Sequence, residues 1–228
     1  MVLARAGADF DPNSALPQPL AGVLADRIRD QIIRGIYPPG SMLREAQLEQ
    51  TFGSSRGPIR ESLRLLLPGG LVEYEARKGF RVHEYTKKEV GDIYRLRARL
   101  EGYVIDELRE KSLDELIVNL RASNERLQGY LNNADIDGYF SENIRFHDAI
   151  IRTTENSALI SVLSYLNEIS LPLRYKLLQR DFETGRSMKY HRVITECLAD
   201  GDLDKCQEHV WAEIRQNTSP IVDLIGSL

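Results

Sequence analysis

Residues 53–64 read Gly53-Ser54-Ser55-Arg56-Gly57-Pro58-Ile59-Arg60-Glu61-Ser62-Leu63-Arg64: a turn, a helix start and a basic helical edge in immediate succession. Ser55 suits an N-cap, where a hydroxyl accepts from first-turn amides that have no intrahelical partner. Pro58 then falls in the first turn, where its missing N–H costs nothing. Arg56, Arg60 and Arg64 recur every fourth residue and form one stripe, while Ile59, Leu63 and Leu66 form a second stripe about 100° away. One edge is fit for burial and the other for an anion. A surface helix with solvated arginines would show the same pattern, so the flanking sequence has to decide between the two.

On the N-terminal side, Leu20, Val23, Leu24, Ile28, Ile32 and Ile33 fit a helical period that Gly35 and Pro38-Pro39-Gly40 stop. Leu43–Phe52 predicts a second short helix with Ala46 and Leu48 turned inward, ended by Gly53. On the C-terminal side, Pro68-Gly69-Gly70 closes the third helix. A proline inside a helix costs about 3 kcal/mol, which predicts a stop near Leu67. Leu71-Val72-Glu73-Tyr74 and Phe80-Arg81-Val82-His83 each alternate apolar and polar, and Glu75–Gly79 joins them with Arg77-Lys78-Gly79 at the tip, the pattern of a β-hairpin. Three short helices followed by a basic-tipped hairpin predict a winged helix-turn-helix over residues 18–84. In that arrangement the third helix enters the major groove, the second crosses the backbone and the wing reaches phosphate or minor groove.

Residues 1–17 lack periodicity and are expected to be a disordered tail. From Thr86 onward the chain reads as helical. Amphipathic segments start at Glu89–Glu101 and recur around Leu113–Leu131, Tyr139–Arg152, Ala158–Leu178, Arg186–Ala199 and Leu203–Ile225, with breaks at Asn132-Asn133 and Asp200-Gly201-Asp202. They predict an all-α antiparallel bundle of about six helices over residues 86–228, and a mainly α fold class for the whole.

A chain of 228 residues has ample core for two modules, and 42% apolar with 28% charged residues is the balance of a soluble globular protein. No apolar run approaches the ~20 residues of a membrane helix, and there is no signal-peptide core at the start. A cytoplasmic protein with no membrane partner is therefore expected. Cys197 and Cys206 are too few for a disulfide framework and are expected to be reduced. The net charge of −4 is unevenly spread: up to Glu84 there are 11 Lys+Arg against 10 Asp+Glu, and beyond it 19 against 24. Polyanion contact is therefore expected on the N-terminal side.

The succession Gly35…Pro39-Gly40…Leu43-Arg44-Glu45…Leu48…Gly53-x-Ser55-Arg56-x-Pro58-Ile59-Arg60-Glu61-x-Leu63…Gly70-Leu71-Val72…Gly79-Phe80-x-Val82 resembles the N-terminal domain of the GntR family of bacterial transcription regulators. The resemblance implies that Arg44, Ser55, Arg56 and Arg60, with Lys78 and Gly79 at the wing tip, contact operator DNA. An arginine suits either bidentate guanine readout or phosphate clamping, and the sequence does not divide these tasks among the three. Arg44 paired with a neighbouring carboxylate is the structural alternative. Four positions depart from the family pattern: Glu49 stands for a small alanine, Ser54 for valine and Gly57 for threonine, and Pro68 falls in the last turn of the recognition helix.

Further along, Arg97 with Leu100-Glu101, then Asn143-Ile144-Arg145-Phe146-His147 with Glu155-Asn156, then His191 with Gly201-Asp202 resemble in order the motifs of the FCD-type C-terminal domain of the FadR branch. That domain binds a divalent metal through an Asp and three His, and a carboxylate effector completes the coordination beside an arginine. Carried over by position, the implied ligands are Asn143, His147, His191 and Glu213, with Arg97 as countercharge to the effector. Asn143 and Glu213 depart from the pattern. Zn²⁺ accepts carboxylate oxygen, His209 one turn before Glu213 is a substitute ligand, and Asn for Asp favours Zn or Ni over a hard cation such as Mg.

The resulting expectation is a homodimeric DNA-binding regulator, a repressor, reading palindromic double-stranded DNA under control of a small organic acid. The alternatives are a metal-free dimer whose bundle is only a scaffold, and a metal-dependent enzyme. Against an enzyme, the sequence has no Glu-x-x-His pair of di-iron type, no nucleophile motif and no Gly-rich phosphate loop.

Overall fold

The computed structural model describes residues 19–225; the expected tail at 1–17 lies outside them. Helices α1 (Leu20–Ile33), α2 (Glu45–Phe52) and α3 (Arg56–Leu66) precede a hairpin of β2 (Val72–Glu75) and β3 (Gly79–Val82). The two-residue strand β1 (Met42–Leu43) pairs antiparallel with β3, giving the sheet order β1-β3-β2. Leu43 thus belongs to a strand and not to the second helix. The two-residue pairing fixes the approach to α2 against the base of the wing, which a periodicity over Leu43–Phe52 could not reveal. Leu48 is buried as expected, but Ala46 is exposed; one apolar residue per turn suffices for a helix this short. The core of this module gathers Leu24, Ile28 and Ile32 of α1, Leu48 of α2, Ile59 and Leu63 of α3, and Phe80 and Val82 of the wing. Helix α3 ends at Leu66, and a 3₁₀ turn over Leu67–Gly69 takes in Pro68.

Six helices follow: α4 (Lys87–Glu107), α5 (Asp114–Asn132), α6 (Ile136–Thr153), α7 (Ser157–Asp181), α8 (Arg186–Ala199) and α9 (Leu203–Leu224). Helix α4 starts at a capping box in which the Thr86 hydroxyl accepts from Glu89 N–H and the Glu89 side chain accepts from Thr86 N–H. Leu120, Leu127, Phe146, Leu163, Ile194 and Val210 build one continuous core. Cys197 and Cys206 are both free thiols inside it. Helix α4 lies along α9 so closely that a Cβ at Gly102 would land on the Trp211 indole.

The two modules meet through α7. Arg29 of α1 grips Glu168 with two N–H groups, Nε and Nη2, each 2.5 Å from a carboxylate oxygen. Arg34 Nη1 reaches Asp137 at 2.5 Å, and the Tyr175 hydroxyl donates to the same carboxylate at 2.7 Å. Ile33, Phe140, Leu171 and Tyr175 form a small apolar cluster beneath these polar contacts. Gly70, at φ 77° where glycine is favoured, brings the end of α3 against Tyr165 and Ile169, and a Cβ there would lie about 3.1 Å from both side chains. Only His83–Thr86 separate β3 from α4, and in that link the Tyr85 hydroxyl donates to the Ile169 carbonyl at 2.6 Å.

Gly102→Ala is expected to force α4 and α9 apart. The cost should be about 1–3 kcal/mol, as for overpacking elsewhere, read as a lower midpoint in urea denaturation at unchanged slope.

Candidate functional sites

Helix α3 presents two faces. Ile59, Leu63 and Leu66 are buried, while Arg56, Arg60 and Arg64 are exposed along the opposite edge. Ser55 occupies the N-cap in extended conformation, but its exposed hydroxyl makes no capping bond. Arg44 is the exposed N-cap residue of α2. Lys78 is exposed at the wing tip, 2.6 Å from Glu75, and Gly79 holds φ 98°, a conformation open to glycine. Gly57 faces open space.

A residue that the sequence reading did not single out organises this surface. Glu45, at the first position of α2, accepts from Arg56 Nε at 2.5 Å and has its other oxygen 3.7 Å from Arg60 Nε. The hydrogen bond that Arg56 donates to Glu45 raises the Arg56 pKa above its ordinary value. One carboxylate thus spans two arginines on the recognition helix and sets their directions before any phosphate arrives. The signal was present in the sequence, since an acidic first-turn residue in α2 sits across the turn from the basic stripe of α3.

Inside the bundle, α4, α6, α7, α8 and α9 enclose a cavity of about 110 Å³ whose polar lining includes Arg97, Asn143, His147, Arg174 and Glu213. Three of the four ligand positions come together. His147 and His191 approach with their Nε2 atoms 3.4 Å apart, and Asn143 Nδ2 lies 3.1 Å from His191 Nε2. Glu213 lines the same cavity, but its Oε1 accepts from Asn217 at 3.1 Å. His209 does not line this cavity but borders an adjoining one that shares Tyr190, Glu213 and Asn217 with it.

Two imidazole nitrogens 3.4 Å apart suit a tetrahedral ion, since Zn–N bonds of 2.0–2.1 Å span about that separation. The remainder of the set does not fit one. The Asn143 amide uses its N–H on the His191 lone pair and its oxygen on Arg174, which donates at 3.0 Å. Among the described residues no three His, Cys, Asp or Glu side chains converge closely enough to hold a metal. Burial, with Arg174 and Arg97 adding to it, pushes the His147 imidazole down to about 3, and burial beside His147 holds His191 well below its usual range.

Arg97 sits 7% exposed and pairs with Glu101 one turn on at 2.7 Å. Burial works against the Arg97 charge, but the Glu101 carboxylate more than offsets it, so its pKa is raised. Arg174, which the sequence reading missed, has no such partner. Its hydrogen bond goes to a neutral amide, and burial together with the nearby Arg97 charge lowers its pKa to about 10. It remains protonated at neutral pH. Burial pushes the Glu213 carboxyl up to about 8, and its Oε2 is shut off from water without a hydrogen-bond partner.

Residues 20–82 match the model of the gntR family of bacterial regulatory proteins, and residues 92–216 match the FCD domain. The chain belongs to the gntR family of bacterial regulators and carries an FCD domain. Among its relatives are the gluconate operon transcriptional repressor of Bacillus licheniformis, 29% identical over 85% of this chain and 82% of that protein, and the HTH-type transcriptional regulator YdhC of Bacillus subtilis, 27% identical over 88% and 90%. Among solved structures, Escherichia coli McbR/YncC shares the fold at a TM-score of 0.74 and 23% identity over 90% of this chain and 97% of that one. These families and relatives are transcriptional regulators, not enzymes. The chain is a DNA-binding transcriptional regulator, and no described helix is long and apolar enough to cross a membrane.

The buried acid makes stability depend on pH. Glu213 holds its proton more tightly in the folded chain (about 8) than its ordinary value of 4.5. Its contribution is therefore complete below about pH 4.5 and lost as pH rises through about 8. Glu213→Gln is expected to abolish that decline, a difference on the order of a few kcal/mol between the parent and variant profiles. Chemical denaturation of both proteins from pH 5 to 9 checks this.

Proposed function

We propose that this regulator is a homodimeric, cytoplasmic repressor whose grip on a palindromic operator is set by a small organic acid held in the cavity between α4, α6 and α7. The DNA-binding part is residues 18–84, read through Arg44, Ser55, Arg56, Arg60, Lys78 and Gly79, and residues 86–228 serve effector binding and dimerisation. The observation that carries the effector reading is the charge lining the cavity: of its three guanidiniums, Arg97 and Arg186 each have a carboxylate partner, and among the described residues Arg174 has none. An unpaired charge in a protein interior is costly, and an entering carboxylate removes that cost. The gluconate operon repressors among the relatives support a sugar acid as the class to try first.

Transmission needs an element that touches both ends, and α7 is one. Arg174 faces the cavity, while its neighbours Tyr175, Leu171 and Glu168 hold α1 of the winged module. Binding that favours one setting of α7 shifts the placement of the winged helix, and in a two-fold dimer this changes half-site spacing. The effector must bind the two settings with different affinity for any shift to follow.

Operator selection from a random DNA pool, followed by fluorescence anisotropy at fixed salt, tests this reading. Enrichment of a palindrome is expected, and Arg56→Ala and Arg60→Ala should each weaken binding to it about tenfold or more, the size of a lost bidentate contact. Gluconate or another small carboxylate should shift the affinity about fivefold or more. Unchanged affinity in both arginine variants would sink the contact assignment; unchanged affinity across all acids would sink the effector.

A further inference from the structure

In this cavity a guanidinium stands beside the implied metal ligands, and the Asn143 side chain is arranged for the guanidinium. Arg174 Nη2 donates to Asn143 Oδ1 at 3.0 Å, and Asn143 Nδ2 donates to His191 Nε2 at 3.1 Å. An amide is the group that can do both: its oxygen faces a cation while its N–H groups face a lone pair. An aspartate there would serve the cation and turn a bare oxygen on the imidazole lone pair; an asparagine serves a metal only weakly. Asn143 is therefore matched to a guanidinium on one side and an accepting imidazole nitrogen on the other.

The charges around the cavity leave one position open. Arg97 is paired with Glu101, and Arg186 with Asp181 at 2.7 Å. Arg174 has a neutral hydrogen-bond partner, and among the described residues no ion pair answers it. A divalent cation placed between the two imidazoles would add positive charge beside Arg174 and would have to break the Asn143–His191 hydrogen bond. An anion gains from the Arg174 charge that no ion pair answers.

We infer that Arg174 takes the place of a metal ion in this FCD domain, so that the cavity binds the carboxylate of its effector between Arg174 and Arg97 without any metal. This rests on the reading of the cavity as the effector site, and it adds the means of recognition. The ligand class is a small carboxylate of a size to enter about 110 Å³, with its charged end at Arg174.

The test has two arms on tag-free, full-length protein stripped with chelator. In the metal arm, ZnCl₂ and NiCl₂ are titrated calorimetrically into the parent and into the Asn143→Asp, Arg174→Met double variant. The parent should take up neither at micromolar concentration, whereas the double variant should bind one equivalent at least a hundredfold more tightly. In the ligand arm, gluconate, lactate and succinate are titrated with chelator present throughout. At least one should bind, Arg174→Met should weaken it tenfold or more, and Arg174→Lys should restore part of the loss. Arg174→Met removes an unanswered charge, so its melting temperature should match or exceed that of the parent, which separates lost binding from lost folding.

Micromolar uptake of one Zn²⁺ or Ni²⁺ by the parent overturns the inference, as does carboxylate binding that disappears in chelator. Either leaves the effector reading standing. If no acid binds with or without metal, both the inference and the effector reading fall. If an acid binds through Arg174 in chelator but leaves operator affinity unchanged, the inference holds and control of DNA binding by the cavity fails.

Discussion

A charge inside a helical bundle has to be answered there, because water is not available to do it, and the six-helix domain is arranged around that constraint. Glu101 answers Arg97 from the next turn of α4. Glu142, fully buried on α6, collects Ser123 from α5 at 2.6 Å and the guanidiniums of Arg126 and Arg145 at 2.8 Å. Burial alone would raise the Glu142 pKa, but these three donors hold it below the usual carboxylate range, so the group stays ionised and ties α5 to α6. Arg174 breaks this pattern. Every other charge at the cavity wall has been settled by the fold, or, for Glu213, by retention of a proton.

The DNA-facing module handles charge in the opposite way. Its arginines stand in water, where an ion pair with a carboxylate contributes little to stability. The Glu45 contacts to Arg56 and Arg60 are better understood as direction than as energy. They hold two flexible side chains near one line on α3, and because both sides are open to water little is lost when they are released. The two modules therefore use guanidinium for different ends: exposed and steered on α3, half-buried and without an ion-pair partner on α7.

Much of this was legible in the sequence. The stripe Arg56-Arg60-Arg64 against Ile59-Leu63-Leu66 fixes the buried and exposed faces of α3 because a helix of that length has one solution to its period. The six later helices follow from amphipathic stretches with clear breaks between them. Strand β1 was not legible, since two residues carry no period, and Ala46 was misplaced because alanine suits either face of a short helix. In the cavity, Asn143, His147 and His191 were placed together by resemblance, but their roles were not. What an asparagine means depends on what faces it, and Arg174, thirty-one positions later on another helix, sits in an apolar run with no motif to mark it. Long-range pairing of a cation with an amide leaves no local trace.

The link His83–Thr86 has a mechanical meaning. With the Tyr85 hydroxyl bonded to the Ile169 carbonyl and Gly70 seated against Tyr165 and Ile169, the wing and the start of α4 are fastened to the same turn of α7 that Arg29 grips through Glu168. The module boundary is thus a gear mesh rather than a tether. A winged helix borrowed from another regulator would have to bring the matching teeth on α1 and the Gly69-Gly70 turn, or it would hang from α4 by the four-residue link alone.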